Sequence, residues 1–130
     1  MPKRVLFVCS HNANRSIAAE AIARHLRPEL QVESAGVDAA GKLNPVMIEA
    51  LKTRGYPTDH ARSKGIADET IGGLENNWDL IVMMGCLPNL PKVDLPATTT
   101  VEDWGLPDPA AHPELMDSVI EKIVEKVKAI

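Results

Sequence analysis

The chain has 130 residues, 45% of them hydrophobic and 25% charged, and a formal net charge of −4. That length suits one domain around one core, and the negative balance gives no field attractive to nucleic acid or an anionic membrane. No apolar run nears the roughly 20 residues of a bilayer span, and Val5 to Val8 is too short for the apolar core of a secretory leader. A monomeric cytoplasmic domain over residues 1–130 is expected.

The two cysteines, Cys9 and Cys86, stand far apart, and no structural disulfide is expected in a reducing compartment. The four histidines show no metal-ligand spacing with either cysteine, so no zinc is expected.

In chain order, Arg4 to Val8 reads as a short buried parallel strand, stopping at the polar stretch Cys9-Ser10-His11-Asn12-Ala13-Asn14-Arg15. Ser16 to Arg27 reads as a helix with Ala18, Ala21, Ile22 and Leu26 on one face, ended by Pro28. Leu30 to Ser34 is a second strand. Asn44 caps a helix that begins at Pro45 and runs to Arg54, before Gly55. The polar segment from Asp59 to Asn77 holds a short helix around Ala67 to Leu74. Asp79 to Met84 is a third strand, Cys86 to Pro96 a proline-rich loop, and Thr98 to Val101 a short fourth strand. After Pro113, the spacing of Met116, Val119, Ile120, Ile123, Val127 and Ile130 predicts an amphipathic helix. The order implies an α/β fold, a doubly wound sheet of about four parallel strands with helices on both faces.

The stretch from Cys9 to Arg15 carries the chemistry. A loop entering a helix N-terminus points unpaired N–H groups at one centre, where the helix dipole also favours negative charge. Ser10, His11, Asn12, Ala13 and Asn14 would line that cradle, and Arg15 adds a planar fork of donors suited to a tetrahedral oxyanion. The same surroundings favour the thiolate of Cys9, the form that attacks. Asn12 tolerates a left-handed backbone and can tie the loop to its neighbours. Ser16 can donate a hydrogen bond to the Cys9 sulfur. The competing reading, a buried structural Cys9 with Arg15 on the surface, needs the strand, Asn12 and Ser16 to coincide by chance. A nucleophile of this kind also needs a proton donor. Asp108, on a proline-stiffened loop after the last strand, is either that donor or a turn-forming Asp before Pro109.

These residues resemble the low-molecular-weight protein tyrosine phosphatase superfamily, and within it the arsenate reductases. The resemblance rests on Val5-Leu6-Phe7-Val8-Cys9-Ser10-His11-Asn12-Ala13-Asn14-Arg15-Ser16 with Ala19-Glu20-Ala21, then on Ser34-Ala35-Gly36, Asn44-Pro45 and Arg62-Ser63-Lys64 in that order. Its most diagnostic stretch is Trp104-Gly105-Leu106-Pro107-Asp108-Pro109-Ala110, where tyrosine phosphatases carry Asp-Pro-Tyr. The resemblance implies Cys9 as nucleophile, Arg15 as oxyanion clamp, Asp108 as general acid and Cys86 as resolving thiol. The chain lacks the third cysteine of thioredoxin-coupled members, since Leu87-Pro88-Asn89-Leu90-Pro91 follows Cys86. It also lacks the Cys-Gly-Cys of a glutaredoxin-linked type, having Met84 first. The expected product is a Cys9–Cys86 disulfide reduced by an external thiol system such as glutaredoxin or thioredoxin, or else a small thiol performs the second step, with no bound cofactor. Some family members hold a monovalent cation near Asn12, Glu20 and Ser34. The acidic residue that completes that site is not matched, because Lys64 follows Ser63, and no metal is expected.

Arsenate reduction is the leading function on this reading. A phosphatase acting on phosphotyrosine or small aryl phosphates would use the same Cys9, Arg15 and Asp108. Against it stand the few aromatic side chains, 3% of residues, and Ala110 where a ring would have to be held. A non-enzymatic oxyanion-binding or redox-sensing module is the third reading. His60 is read as a structural hydrogen-bonding residue rather than a catalytic one.

Overall fold

The structure is a computed structural model that describes residues 3–9, 12, 14–38, 41–84, 95–107, 109 and 112–130. Strands β1 (Arg4–Cys9), β2 (Gln31–Gly36), β3 (Leu80–Met83) and β4 (Thr100–Asp103) form one parallel sheet in the order β2-β1-β3-β4. Helices α1 (Arg15–Leu26), α2 (Pro45–Thr53) and α3 (Met116–Lys128) complete the expected α/β architecture. β1 is central, with Cys9 opposite Gly36 of β2 and Val8 opposite Met83 of β3. Connections therefore leave the carboxyl ends of β1 and β3 in opposite senses, which opens a crevice there. Cys9 is the last residue of β1 and sits at that crevice.

Both faces of the sheet are buried. Val5, Phe7 and Cys9 of β1, with Leu80 and Val82 of β3, join α1, α2 and α3 in one core cluster. Alanines at 18, 19, 21 and 23 are fully buried, and their small side chains let α1 lie close against β1, β2 and α3. A helix of the length of α3 is marginal alone in water. Burial decides: Met116, Val119, Ile120, Ile123 and Val127 are all buried, and each large apolar side chain contributes about 1.5–3 kcal/mol. α2 has the cap read from its sequence, with Asn44 Oδ1 accepting from the Val46 amide at 3.0 Å.

The other face, Leu6, Val8, Ile81 and Met83, packs against Ile71, Leu74 and Trp78. These come from turns rather than the helix expected over Ala67 to Leu74. Gly72 and Gly73 adopt φ of +73° and +89°, which ends any helix there. Asp68 Oδ1 accepts from the amide and hydroxyl of Thr70 at 3.1 and 2.7 Å, a local turn that competes with helical bonding. Arg62 grips both oxygens of Asp68 at 2.8 and 3.0 Å, and with Thr70 holds that carboxyl well below the usual range. β4 begins two residues later than the sequence reading of Thr98 to Val101. The Thr99 amide is donated to Pro96 O at 3.0 Å in a turn, and pairing starts at Thr100.

Candidate active site

Cys9 is only 3% exposed and borders the core, so burial alone would fit a structural cysteine. Its sulfur is nevertheless in a polar setting. The Asn12 amide donates to Cys9 Sγ at 3.1 Å, and Ser16 Oγ lies 2.8 Å from it. Asn12 Nδ2 donates to Ser16 Oγ at 2.8 Å, so that oxygen is already accepting and its own proton is left for the sulfur. Beyond Cys9, Asn12 adopts a left-handed backbone with φ of +50°. That conformation is held because Asn12 is fully buried and its Oδ1 accepts the Lys64 amide at 2.8 Å.

Asn14 precedes α1, and its Oδ1 accepts a hydrogen bond from Asn44 Nδ2, tying the loop to the start of α2. It makes no capping bond to the first-turn amides of α1, and that turn holds no acidic residue. Those amides are donors suited to an anion. Arg15 Nη1 donates to the carbonyls of Met84 and Leu106 at 2.6 and 2.8 Å, while its buried Nε has no hydrogen-bond partner among the described residues. A buried guanidinium donor without an acceptor, beside open helix amides and a polarised sulfur, fits a tetrahedral oxyanion. The segment leading to Asp108 is anchored nearby. The Trp104 amide donates to Met83 O at 2.8 Å, its ring lies 5.7 Å from that of Phe7, and Gly105 turns away with φ of +56°.

Behind the loop lies a charged cluster. Glu20 of α1 is 2% exposed and accepts from Ser34 Oγ at 2.5 Å and from Arg24 Nε at 2.9 Å. The Lys64 ammonium, its side chain 4% exposed, lies 3.6 Å from Glu20 and 3.7 Å from Glu33. The place where the sequence left a cation site incomplete thus contains a lysine charge. Burial, reinforced by Glu20, pushes the Glu33 carboxyl up. His60 Nε2 is 3.6 Å from Glu20, yet burial outweighs that attraction and pushes the imidazole down from its ordinary 6.5. His60 is therefore less readily protonated folded than unfolded. Above 6.5 it leaves stability unchanged; as pH falls through that value stability declines, until the folded group also takes a proton. Urea melts across that window should show the decline, and His60→Gln should flatten it. Identical slopes for both proteins would refute this.

Of the residues singled out from the sequence, Cys9, Asn12, Asn14, Arg15 and Ser16 come together at the end of β1, with Ser34 and His60 one layer behind around Glu20. Ser10, His11, Ala13, Cys86 and Asp108 lie outside the described residues. Sequence reasoning missed two features, the double hold of Lys64 on Asn12 and Glu20, and the bonds from Arg15 to Met84 and Leu106. Backbone acceptors leave no signal in a sequence. Lys64 stood in a singled-out stretch, but nothing beside it marks it as buried. Among the described residues no group of three His, Cys, Asp or Glu could hold a metal ion, and no helix is long and apolar enough to cross a membrane.

Residues 4–130 match the family model described as low molecular weight phosphotyrosine protein phosphatase. An arsenate reductase of Staphylococcus aureus (strain Newman) is 33% identical over 112 residues, covering 85% of this chain and 82% of that one. An arsenate reductase structure from Archaeoglobus fulgidus superposes with a TM-score of 0.75 at 29% identity, over 96% of each chain. The thioredoxin-dependent arsenate reductase of Corynebacterium glutamicum gives 0.77 at 29% identity, over 98% of this chain and 59% of that longer one. The chain belongs to the low molecular weight phosphotyrosine protein phosphatase family and is an enzyme of its arsenate reductase branch.

Proposed function

We propose that the protein reduces arsenate to arsenite. The observation that carries this reading is the Cys9 sulfur, hydrogen-bonded by Asn12 and Ser16 at the open N-terminus of α1, beside the unpaired Nε of Arg15. Arsenate is held by the loop from Cys9 to Arg15, through the amides of Ser10 to Asn14 and the guanidinium. The Cys9 thiolate attacks arsenic, an S–As bond forms, and an As–O bond breaks. Asp108 protonates the departing oxygen, which leaves as water. The Cys86 thiolate then attacks Cys9 Sγ. The S–As electron pair passes to arsenic, which falls from As(V) to As(III) and leaves as arsenite, while the thiols become a Cys9–Cys86 disulfide. Glutaredoxin, thioredoxin or a small thiol supplies two electrons to restore them, a cycle suited to a reducing cytoplasm.

The same nucleophile, clamp and acid would hydrolyse an aryl phosphate through a Cys9 phosphoenzyme, and the family description keeps that second reading in play. Only arsenate reduction calls on Cys86. Turnover of arsenate with a thiol reductant, run beside hydrolysis of an aryl phosphate, separates the two. Cys86→Ser is expected to lose arsenate turnover by at least about 100-fold and to keep any ester hydrolysis. Equal arsenate turnover by wild type and Cys86→Ser would remove the resolving role. Brisk ester hydrolysis with no arsenate turnover in the wild type would favour the phosphatase.

A further inference from the structure

The residue best placed to cap α1 is held away from it. Asparagine is among the strongest capping residues, because its side-chain oxygen takes an amide of the second or third helical residue. Asn14 stands at that position yet makes no such bond, and its backbone, φ −127° and ψ −88°, is not the extended one that capping uses. Its Oδ1 accepts from Asn44 Nδ2 instead. Asn44 presents its nitrogen there because its Oδ1 already accepts the Val46 amide at 3.0 Å. The Asn44 backbone is extended, φ −76° and ψ 113°, as a residue before proline prefers, and Pro45 opens α2. Met47 and Leu51, both fully buried, fix α2 against the core. One side chain thus caps α2 with its oxygen and, with its nitrogen, holds the cap of α1 aside.

We propose that Asn44 is a positioning residue that keeps the oxyanion's place at α1 open by holding Asn14 away from it. The inference rests on the anion site proposed above. The amides that an asparagine cap would take belong to the first turn of α1, whose donors the anion is to use. An oxyanion and the side-chain oxygen of Asn14 are therefore rivals for one helix end. Whatever frees Asn14 lets α1 cap itself, and the anion must then displace an internal oxygen before it binds. Such competition raises the concentration of anion needed and leaves the chemistry after binding untouched.

The test is binding of inorganic phosphate by calorimetry to the reduced wild type, to Asn44→Ser, and to Asn44→Ser with Asn14→Ala. Serine still caps α2 but is too short to reach Asn14, so urea unfolding without phosphate should match wild type. The phosphate Kd of Asn44→Ser should rise about fivefold, the factor that one helix cap is worth. Asn14→Ala then removes the rival oxygen, and the double variant should bind at least about threefold tighter than Asn44→Ser alone. In arsenate turnover Asn44→Ser should raise KM and leave kcat unchanged. If Asn44 merely braced the loop, the double variant would bind as weakly as the single or more weakly, and that result overturns the proposal. So does an Asn44→Ser protein that binds phosphate like wild type. Should Asn44→Ser unfold more readily, the double variant against the single still decides, because alanine adds no contact of its own. The expected binding pattern in a protein that turns over no arsenate would keep this inference and remove arsenate reduction. A wild type that binds no phosphate would remove both.

Discussion

Replacing Cys9 with serine is expected to cut turnover of arsenate, and of any aryl phosphate, by a factor of about 10⁴ or more. The expectation follows from what surrounds the atom. Asn12 and Ser16 offer hydrogen bonds to whatever sits at the end of β1, and these favour an anion. A cysteine sulfur is a strong nucleophile, whereas a serine hydroxyl is a weak one unless a base takes its proton. The loop is held from outside by Lys64 and Asn44, so it should keep its shape in the variant. Phosphate binding by calorimetry should therefore persist within a few-fold while turnover disappears. Turnover within tenfold of wild type would show that another group is the nucleophile.

The second large effect concerns stability. Lys64→Met should destabilise the fold by about 3 kcal/mol, because removing one partner strands a buried charge on the other. Glu20 is 2% exposed and would keep only Arg24, Ser34 and the neutral His60 beside it. Arg24 and Ser34 place the loss at the lower end of what broken buried pairs cost. The double variant Glu20→Gln with Lys64→Met should recover a good part of it, since no uncompensated carboxylate remains at Glu20. Urea unfolding of the wild type, the singles and the double gives the coupling directly. A Lys64→Met protein as stable as wild type would mean that the ammonium does not neutralise Glu20.

How much could be read beforehand divides along physical lines. β1, the loop and α1 were legible because each is local: an apolar run, a polar break with Asn12, then alanines at helical spacing. The hydrogen bonds of Asn44 to α2 and of Ser16 to the sulfur are short-range chemistry of the same kind. The segment over Ala67 to Leu74 was misread because its apolar residues fit a helix. Tertiary burial of Ile71 and Leu74, with paired glycines and Asp68, made turns of it instead. β4 slipped because threonines at 98 to 100 look alike to propensity, and only pairing with Leu80 fixes where the strand begins. The partners of Arg15 and Lys64 were illegible for a further reason. They join positions 69, 91 and 52 apart in the chain, and no local pattern carries such separation.

β4 is the outer strand beyond β3, exposed along its length, with Val101 39% accessible. Such a border is an open template on which a second molecule could zip itself. Glu102 and Asp103 occupy half of it, folded back onto the Trp104 indole and the Gly105 amide. Two molecules meeting along this border would bring four carboxylates together, a like-charge cost that disfavours edge-to-edge pairing. Neutral replacements, Glu102→Gln with Asp103→Asn, should therefore let fibril-like self-association begin at this margin.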